Sequence, residues 1–114
     1  MAINGIHILL YKPDAEAVRA VVRDVFGWSH VDAGDGWLIF AGPPAEVAVH
    51  PGAAPSHQLS LMCDEVAATM EELQGKGVLF RGEPSDEGWG TAITMLLPGD
   101  LELLLYEPRH PTAI

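Results

Sequence analysis

The chain lacks several features that would assign it to a class of protein at once. Cys63 is its single cysteine among 114 residues, which excludes an internal disulfide and fits a reducing cytoplasm. Lysine and arginine number 6 against 16 acidic residues, and the net charge of -10 disfavours contact with nucleic acid or anionic membranes. No apolar run is long enough to span a bilayer. We therefore expect a cytoplasmic protein with no nucleic-acid or membrane partner.

Length and composition predict one globular domain over residues 1–114. The chain is long enough to bury a core, and its 48% hydrophobic and 19% charged residues are ordinary for a folded protein. The excess of acidic residues gives solubility in the simplest interpretation, and it is also compatible with a cationic small-molecule ligand.

One sequence pattern occurs twice, with an offset of 50 residues. The identical positions are His7 and His57, Leu9 and Leu59, Asp14 and Asp64, Ala17 and Ala67, and Gly27 and Gly77. Each copy predicts a strand that begins near a histidine, an aspartate helix cap, an amphipathic helix and a glycine stop. A linker rich in proline and glycine separates the copies and divides the chain into module one, residues 1–52, and module two, residues 53–114.

Each module is predicted to fold as strand, helix, strand, strand, strand. The valines of the first helix recur at helical spacing, and the second helix has a similar apolar face. The predicted strands are 3–10, 28–32, 37–40 and 46–50 in module one, and 57–63, 78–81, 91–97 and 101–106 in module two. A polar loop is expected over residues 83–90. One module alone cannot cover both faces of its sheet, so the two modules must associate.

This arrangement resembles the vicinal oxygen chelate superfamily, which includes glyoxalase I, fosfomycin-resistance proteins, extradiol dioxygenases and bleomycin-resistance proteins. The resemblance covers nearly the whole chain, including an ending of the type Pro-Gly-x-x-Glu-Leu followed by Tyr106-Glu107-Pro108. It implies an α+β fold in which two βαβββ modules form an open, curled mixed sheet around a cavity. It also implies a homodimer. The superfamily contains isomerases, transferases, oxygenases and non-enzymatic binders, so the activity stays open.

The resemblance further implies a metal site. His7 and His57 match the histidine ligands of the metal-dependent members residue by residue, and Glu102 is the predicted third ligand. Two imidazoles and one carboxylate leave positions open on iron, zinc, nickel or manganese. The metal would act as a Lewis acid or, if it is iron, bind dioxygen. Glu102 and Glu46 are the candidate catalytic carboxylates, and no organic cofactor is expected.

The register of the last strand complicates that assignment. Counted back from Tyr106, the usual carboxylate position falls on Leu104, and Glu102 stands two residues earlier on the same face. That displacement is about 7 Å along a strand. A metal–oxygen bond of about 2 Å does not tolerate it unless the register also changes.

The predicted cavity is lined by polar, aromatic and apolar side chains. We expect the substrate to contact His50, Trp89, Tyr106 and Leu104. The concave sheet face is expected to carry His7, Glu46, His50, His57, Glu102, Leu104 and Tyr106. Parity along the strand that follows His57 predicts that Gln58 and Ser60 point away from this cavity.

Two hypotheses follow. The first is a small divalent-metal-dependent enzyme of the isomerase, lyase or dioxygenase type, acting on an oxygenated substrate, and it rests on the histidine pair. The second is a metal-free binding protein of the bleomycin-resistance type that sequesters a cationic or aromatic molecule in an acidic dimer groove. It rests on the charge of -10, the three tryptophans and the displaced carboxylates.

Overall fold

The computed structural model describes residues 7–11, 13, 15–46, 48, 51 and 53–114. The elements in these residues are α1 (Ala15–Ala20), a π-helical turn (Val21–Val25), β1 (His30–Asp32), β2 (Leu38–Phe40), β3 (Ser60–Met62), α2 (Val66–Gly75), β4 (Leu79–Asp86), β5 (Gly90–Leu97) and β6 (Leu101–Pro108). The helices accompany a two-stranded and a four-stranded sheet, neither of them closed. This confirms the predicted α+β class. In this part of the chain, no helix is long and apolar enough to cross a membrane.

The larger sheet belongs to the second half of the chain. Its strand order is β3-β6-β5-β4, with β3 parallel to β6 and the other pairs antiparallel. The order strand, helix, strand, strand, strand predicted for residues 53–114 is therefore confirmed. In the first half, β1 and β2 pair as a short antiparallel hairpin. The predicted cap Asp14, the cavity residue His50, and residues 3–6, 47 and 49 of the predicted strands lie outside the described residues. Residues 7–10 of the first predicted strand are described, and they form no strand.

Both helices pack on the same face of the larger sheet. From the first helix, Val18 and Val22 join a buried cluster with Met95 of β5, and from the second, Val66 packs on Ile93 and other strand residues. The remaining buried members are Val78, Leu97, Leu103 and Leu105. The helical spacing of the valines thus gives the buried stripe that the sequence predicted.

The start of α2 corrects one prediction. The residue that caps this helix is Glu65, which makes no side-chain capping bond, so Asp64 is not the cap. Instead, the Val66 amide donates to the Glu107 carboxylate at 3.0 Å. Glu107 reaches this amide because β6 runs beside β3, and the Cys63 amide already donates to the Tyr106 carbonyl at 2.9 Å. A residue distant in sequence therefore satisfies the helix terminus.

The polar loop expected over residues 83–90 is also much shorter than predicted. β4 continues to Asp86, with an irregularity in its pairing to β5 between Arg81 and Ser85. Gly82, at a φ of 68°, supplies the conformation that such a bulge requires. Pro84 is tolerated because β4 is the outer strand of the sheet in its described strand order. The connection to β5 is thereby reduced to residues 87–89.

Candidate functional site

The face of the larger sheet that points away from the helices forms the candidate site. In the register of β5 and β6, Thr94 pairs with Leu104, and the adjacent pairs on this face are Ala92 with Tyr106 and Leu96 with Glu102. The alternate residues of β6, Leu103 and Leu105, are buried in the core. The predicted alternation of Glu102, Leu104 and Tyr106 on one face is consistent with this register.

Ser60 lies on this open face, contrary to the sequence prediction. It pairs with Leu104, whereas Leu61 pairs with Leu105 and packs in the core. The prediction failed because it carried the parity of His57 into the strand, and β3 begins only at residue 60. The open face therefore continues from β5 across β6 to the polar Ser60.

A groove of about 220 Å³ lies on the open face. It contains two of the predicted cavity residues, Trp89 and Leu104. Its other lining residues are Arg81, Glu83, Ser85, Glu87, Ala92, Ile93 and Thr94. Most of them come from β4 and from the turn that follows it, so the irregular strand β4 forms one wall of the groove.

Trp89 forms the aromatic part of this wall. Its side chain is 44% exposed, and its ring meets the ring of Tyr106 edge-on, with centroids 5.2 Å apart. The Tyr106 hydroxyl lies 3.2 Å from Nε2 of His110. Burial raises the pKa of the Tyr106 hydroxyl, and the nearby Glu46 raises it further. Tyr106 is therefore a neutral aromatic contact of the indole.

The positive and negative side chains of the groove differ in how far a neighbouring charge already neutralises them. The Arg81 guanidinium forms an ion pair with the Glu102 carboxylate. Glu87 accepts a hydrogen bond from the Ser85 hydroxyl at 2.6 Å, and Glu83 adds a second carboxylate to the lining. Two negative charges therefore remain in the groove, while its arginine is neutralised by a neighbour. The sequence signal for these residues was their closeness to Trp89 in a polar stretch.

The residues predicted to hold a metal ion are placed differently. His7 and His57 are exposed and lie outside helices and strands. Glu102 is paired with Arg81, and the Glu46 carboxylate accepts a bond from the amide of Ala113. Across the described part of the chain, no three histidine, cysteine, aspartate or glutamate side chains gather closely enough to hold a metal ion. The donor set His7, His57 and Glu102 is thus not assembled here, and its metal site stays a prediction.

Comparison with known proteins assigns the chain to a family. The family model for the glyoxalase/bleomycin resistance protein/dioxygenase superfamily matches residues 6–110. The chain belongs to this superfamily. The resemblance seen in the sequence is therefore confirmed, although membership leaves the activity open because the same fold serves several functions.

Solved structures of similar fold include an antibiotic binding protein and a lyase. TnmS3, an antibiotic binding protein from Streptomyces sp. CB03234, is 25% identical, with a TM-score of 0.68 over 95% of this chain and 98% of that one. A lactoylglutathione lyase from Agrobacterium tumefaciens is 16% identical, with a TM-score of 0.64 over 94% and 96% of the two chains. At that identity the lyase shows the fold alone. A sequence comparison with curated proteins gives no match.

Proposed function

We propose that this protein binds a small, planar, positively charged molecule in the groove without converting it. The observation that carries the proposal is the combination of Trp89 with the carboxylates of Glu83 and Glu87 in one groove whose arginine is paired with Glu102. An indole face attracts a cation through its negative π-density, and neighbouring carboxylates strengthen that attraction. The net charge of -10 acts in the same direction at longer range.

The family comparison supports a binding role. The structure of the antibiotic binding protein TnmS3 aligns with this chain over nearly the whole length of both. The position that the resemblance assigns to a metal-binding carboxylate is occupied by Leu104, an apolar residue that lines the groove. An apolar floor beneath an aromatic wall suits a flat ring system better than it suits a hydrated metal ion.

The metalloenzyme hypothesis is the alternative, and it rests on His7 and His57. The described arrangement does not fit it, since Glu102 is engaged by Arg81 and the histidines are not gathered with it. Metal analysis after incubation with iron, zinc, nickel or manganese tests it, with His7→Ala and His57→Ala as controls. Stoichiometric binding that both substitutions abolish would favour the enzyme over the binder.

We also propose that two copies associate and complete the groove. Its volume of about 220 Å³ lies below the range of about 300 to 1,000 Å³ usual for small-molecule pockets. Large apolar side chains are exposed elsewhere, among them Leu79 at 67% and Val31 at 65%. Burial of such residues at an interface is favourable. Light scattering should give twice the mass of one chain, and a monomer at every concentration contradicts this part of the proposal.

A matched pair of probes tests the ligand class. N-methylacridinium carries a fixed positive charge, whereas acridine has nearly the same shape and is largely neutral at neutral pH. We expect the cation to quench the tryptophan fluorescence and to bind at least about tenfold more tightly, because only the cation gains from the carboxylates and the indole. Its binding should weaken with added salt, since exposed charges are screened.

Substitutions locate the site. Trp89→Phe should weaken binding of N-methylacridinium about three- to tenfold, because a phenyl ring offers a smaller and less electron-rich face. Glu83→Gln should have a smaller effect in the same direction. Trp37→Phe and Glu71→Gln change the same residue types at exposed positions outside the groove, so they should leave the affinity unchanged. Equal binding of the two probes, or equal losses in groove and control variants, would contradict the proposal.

A further inference from the structure

The segment that follows β6 holds the backbone of Trp89. The amides of Arg109 and His110 both donate to the Trp89 carbonyl, at 2.8 and 3.3 Å. Within the turn itself, the Glu87 amide donates to the carbonyl of Gly90 at 2.9 Å. The turn between β4 and β5 is therefore closed on itself and tied to residues that come after the last strand.

The Arg109 side chain makes a second set of contacts with the same turn. Its Nη1 and Nη2 atoms donate to the two oxygens of Asp86 at 3.0 and 2.6 Å, and Nη2 lies 3.4 Å from the Thr91 hydroxyl. Asp86 also accepts from the Gly88 amide at 2.8 Å. Asp86 ends β4 and Thr91 lies at the start of β5, so one guanidinium bridges both sides of the turn. Arg109 in turn holds the pKa of Asp86 below its usual value, which keeps the carboxylate charged.

Two further contacts restrict where the indole lies. Gly90 sits so close to β6 that a Cβ atom there would stand 2.5 Å from the Glu107 carbonyl oxygen, so the residue after Trp89 admits no side chain. The Trp89 ring rests on Tyr106, whose hydroxyl contacts His110, the residue next to Arg109. Backbone and ring are thus both fixed from the region of residues 106–110.

We infer that Arg109 is a positioning residue for ligand binding: its contacts with Asp86 and with the Trp89 carbonyl preorganise the indole for a cationic aromatic ligand. The inference rests on the proposed function. Gly88, at a φ of 81°, makes the turn intrinsically adaptable. An exposed ion pair contributes little to the stability of a whole domain, but it can restrict a short turn. Restricting the turn before the ligand arrives reduces the conformational freedom that is lost on binding.

Four variants separate this role from a general structural one. Arg109→Gln removes the charge, and Asp86→Asn removes the ion pair while keeping an oxygen for the Gly88 amide. Each should weaken binding of N-methylacridinium about two- to fivefold. The double variant should bind no more weakly than Arg109→Gln alone, because both changes remove one interaction. Arg109→Lys should restore part of the affinity, since it returns the charge without the two-pronged geometry.

Arg23→Gln is the matched control. Arg23 forms a comparable two-pronged pair with Asp24 at 2.8 and 2.9 Å, on the helical segment of the first half. Its loss should leave the affinity unchanged. Equal affinity in the parent protein and in Arg109→Gln would overturn the inference. The inference would also be overturned if Arg109→Gln lost affinity together with a large fall in melting temperature, and Arg109→Lys restored none of the affinity.

A measurement without ligand separates this inference from the proposed function. In protein labelled with fluorotryptophan, the three tryptophans should give separate fluorine NMR signals, and Trp89→Phe should assign one of them. Arg109→Gln should shift the Trp89 signal and leave that of Trp37 in place. If the parent protein does not bind N-methylacridinium, the proposed function fails, and a shifted Trp89 signal still supports the positioning by Arg109. An unshifted Trp89 signal overturns the positioning even if the ligand binds.

Discussion

The two halves of the chain repeat one sequence pattern, but the strands described in them differ in length. In the second half, β4, β5 and β6 each have 8 residues, and alternate residues of β5 are fully buried. In the first half, β1 and β2 have 3 residues each, and every residue of β1 is exposed. The helix of each half nevertheless packs on the same sheet. Among the described residues, a shared sequence pattern therefore does not give strands of equal length, since strand length follows from the partners available for pairing.

The largest expected effect contrasts one isoleucine from each half. Ile93 of β5 is 3% exposed and Ile39 of β2 is 36% exposed. Ile93→Ala should lower the free energy of unfolding by about 2 to 5 kcal/mol, because it leaves a cavity in the core. Ile39→Ala should cost less than about 1 kcal/mol. Urea unfolding of both variants measures the difference, and comparable losses would mean that the first half is as well packed as the second.

The second prediction compares two glycines that adopt ordinary backbone conformations. A Cβ at Gly90 would meet the backbone of Glu107 at 2.5 Å, whereas a Cβ at Gly42 would stand 3.6 Å from the Trp28 ring. Gly90→Ala should therefore destabilise the protein by about 1 to 3 kcal/mol, because neither strand can move without breaking its pairing. Gly42→Ala should change stability only slightly. Thermal unfolding of the two variants tests this, and equal melting temperatures would show that β5 and β6 are less closely joined than described.

A third, smaller effect concerns the start of α2. Glu107→Ala removes the acceptor of the Val66 amide and should cost about 1 kcal/mol, the usual value for a lost helix cap. Asp64→Ala removes the aspartate that the repeat suggested as the cap. It should lower the free energy of unfolding by at most about 0.3 kcal/mol, because Asp64 does not cap the helix. Urea titrations of both variants decide between the two residues. A larger loss for Asp64→Ala would mean that Asp64 caps α2, as the sequence repeat predicted.

The smallest effect is a pH dependence at Cys63, a free thiol beside the core. Burial raises its pKa above the ordinary 9.0, with further contributions from the carboxylates of Glu107 and Asp64. Because the folded protein favours the neutral thiol, Cys63 should not affect the pH dependence of stability below the pKa of the unfolded thiol. Above that pKa, the free energy of unfolding should fall as the pH rises. Reaction with a thiol reagent should be slow at neutral pH and should rise with a midpoint above that of a cysteine in a peptide. A midpoint below the peptide value would show that Cys63 is an activated thiol.

Part of the candidate site was predictable and part was not. The alternation of Glu102, Leu104 and Tyr106 follows from the period of a strand, and Trp89 follows from its place in a glycine-bearing turn. The pairing of Arg81 with Glu102 does not follow from the sequence, because it depends on the register across β4, β5 and β6. The same register brings Ser60 to the open face. A shift of one residue reverses which side chains face the ligand, and sequence periodicity alone does not fix that shift.

The sequence by itself determined the α+β class, the helices with their buried valines, and the family to which the chain belongs. These features depend on local spacing and on glycines and prolines at particular positions, which act within a few residues. Tertiary structure alone decided that Glu107 satisfies the start of α2, that Arg81 neutralises Glu102, and that Arg109 reaches the turn carrying Trp89. Each of these contacts joins residues more than 20 positions apart. They form only after the strands have paired, and the proposed binding groove depends on them.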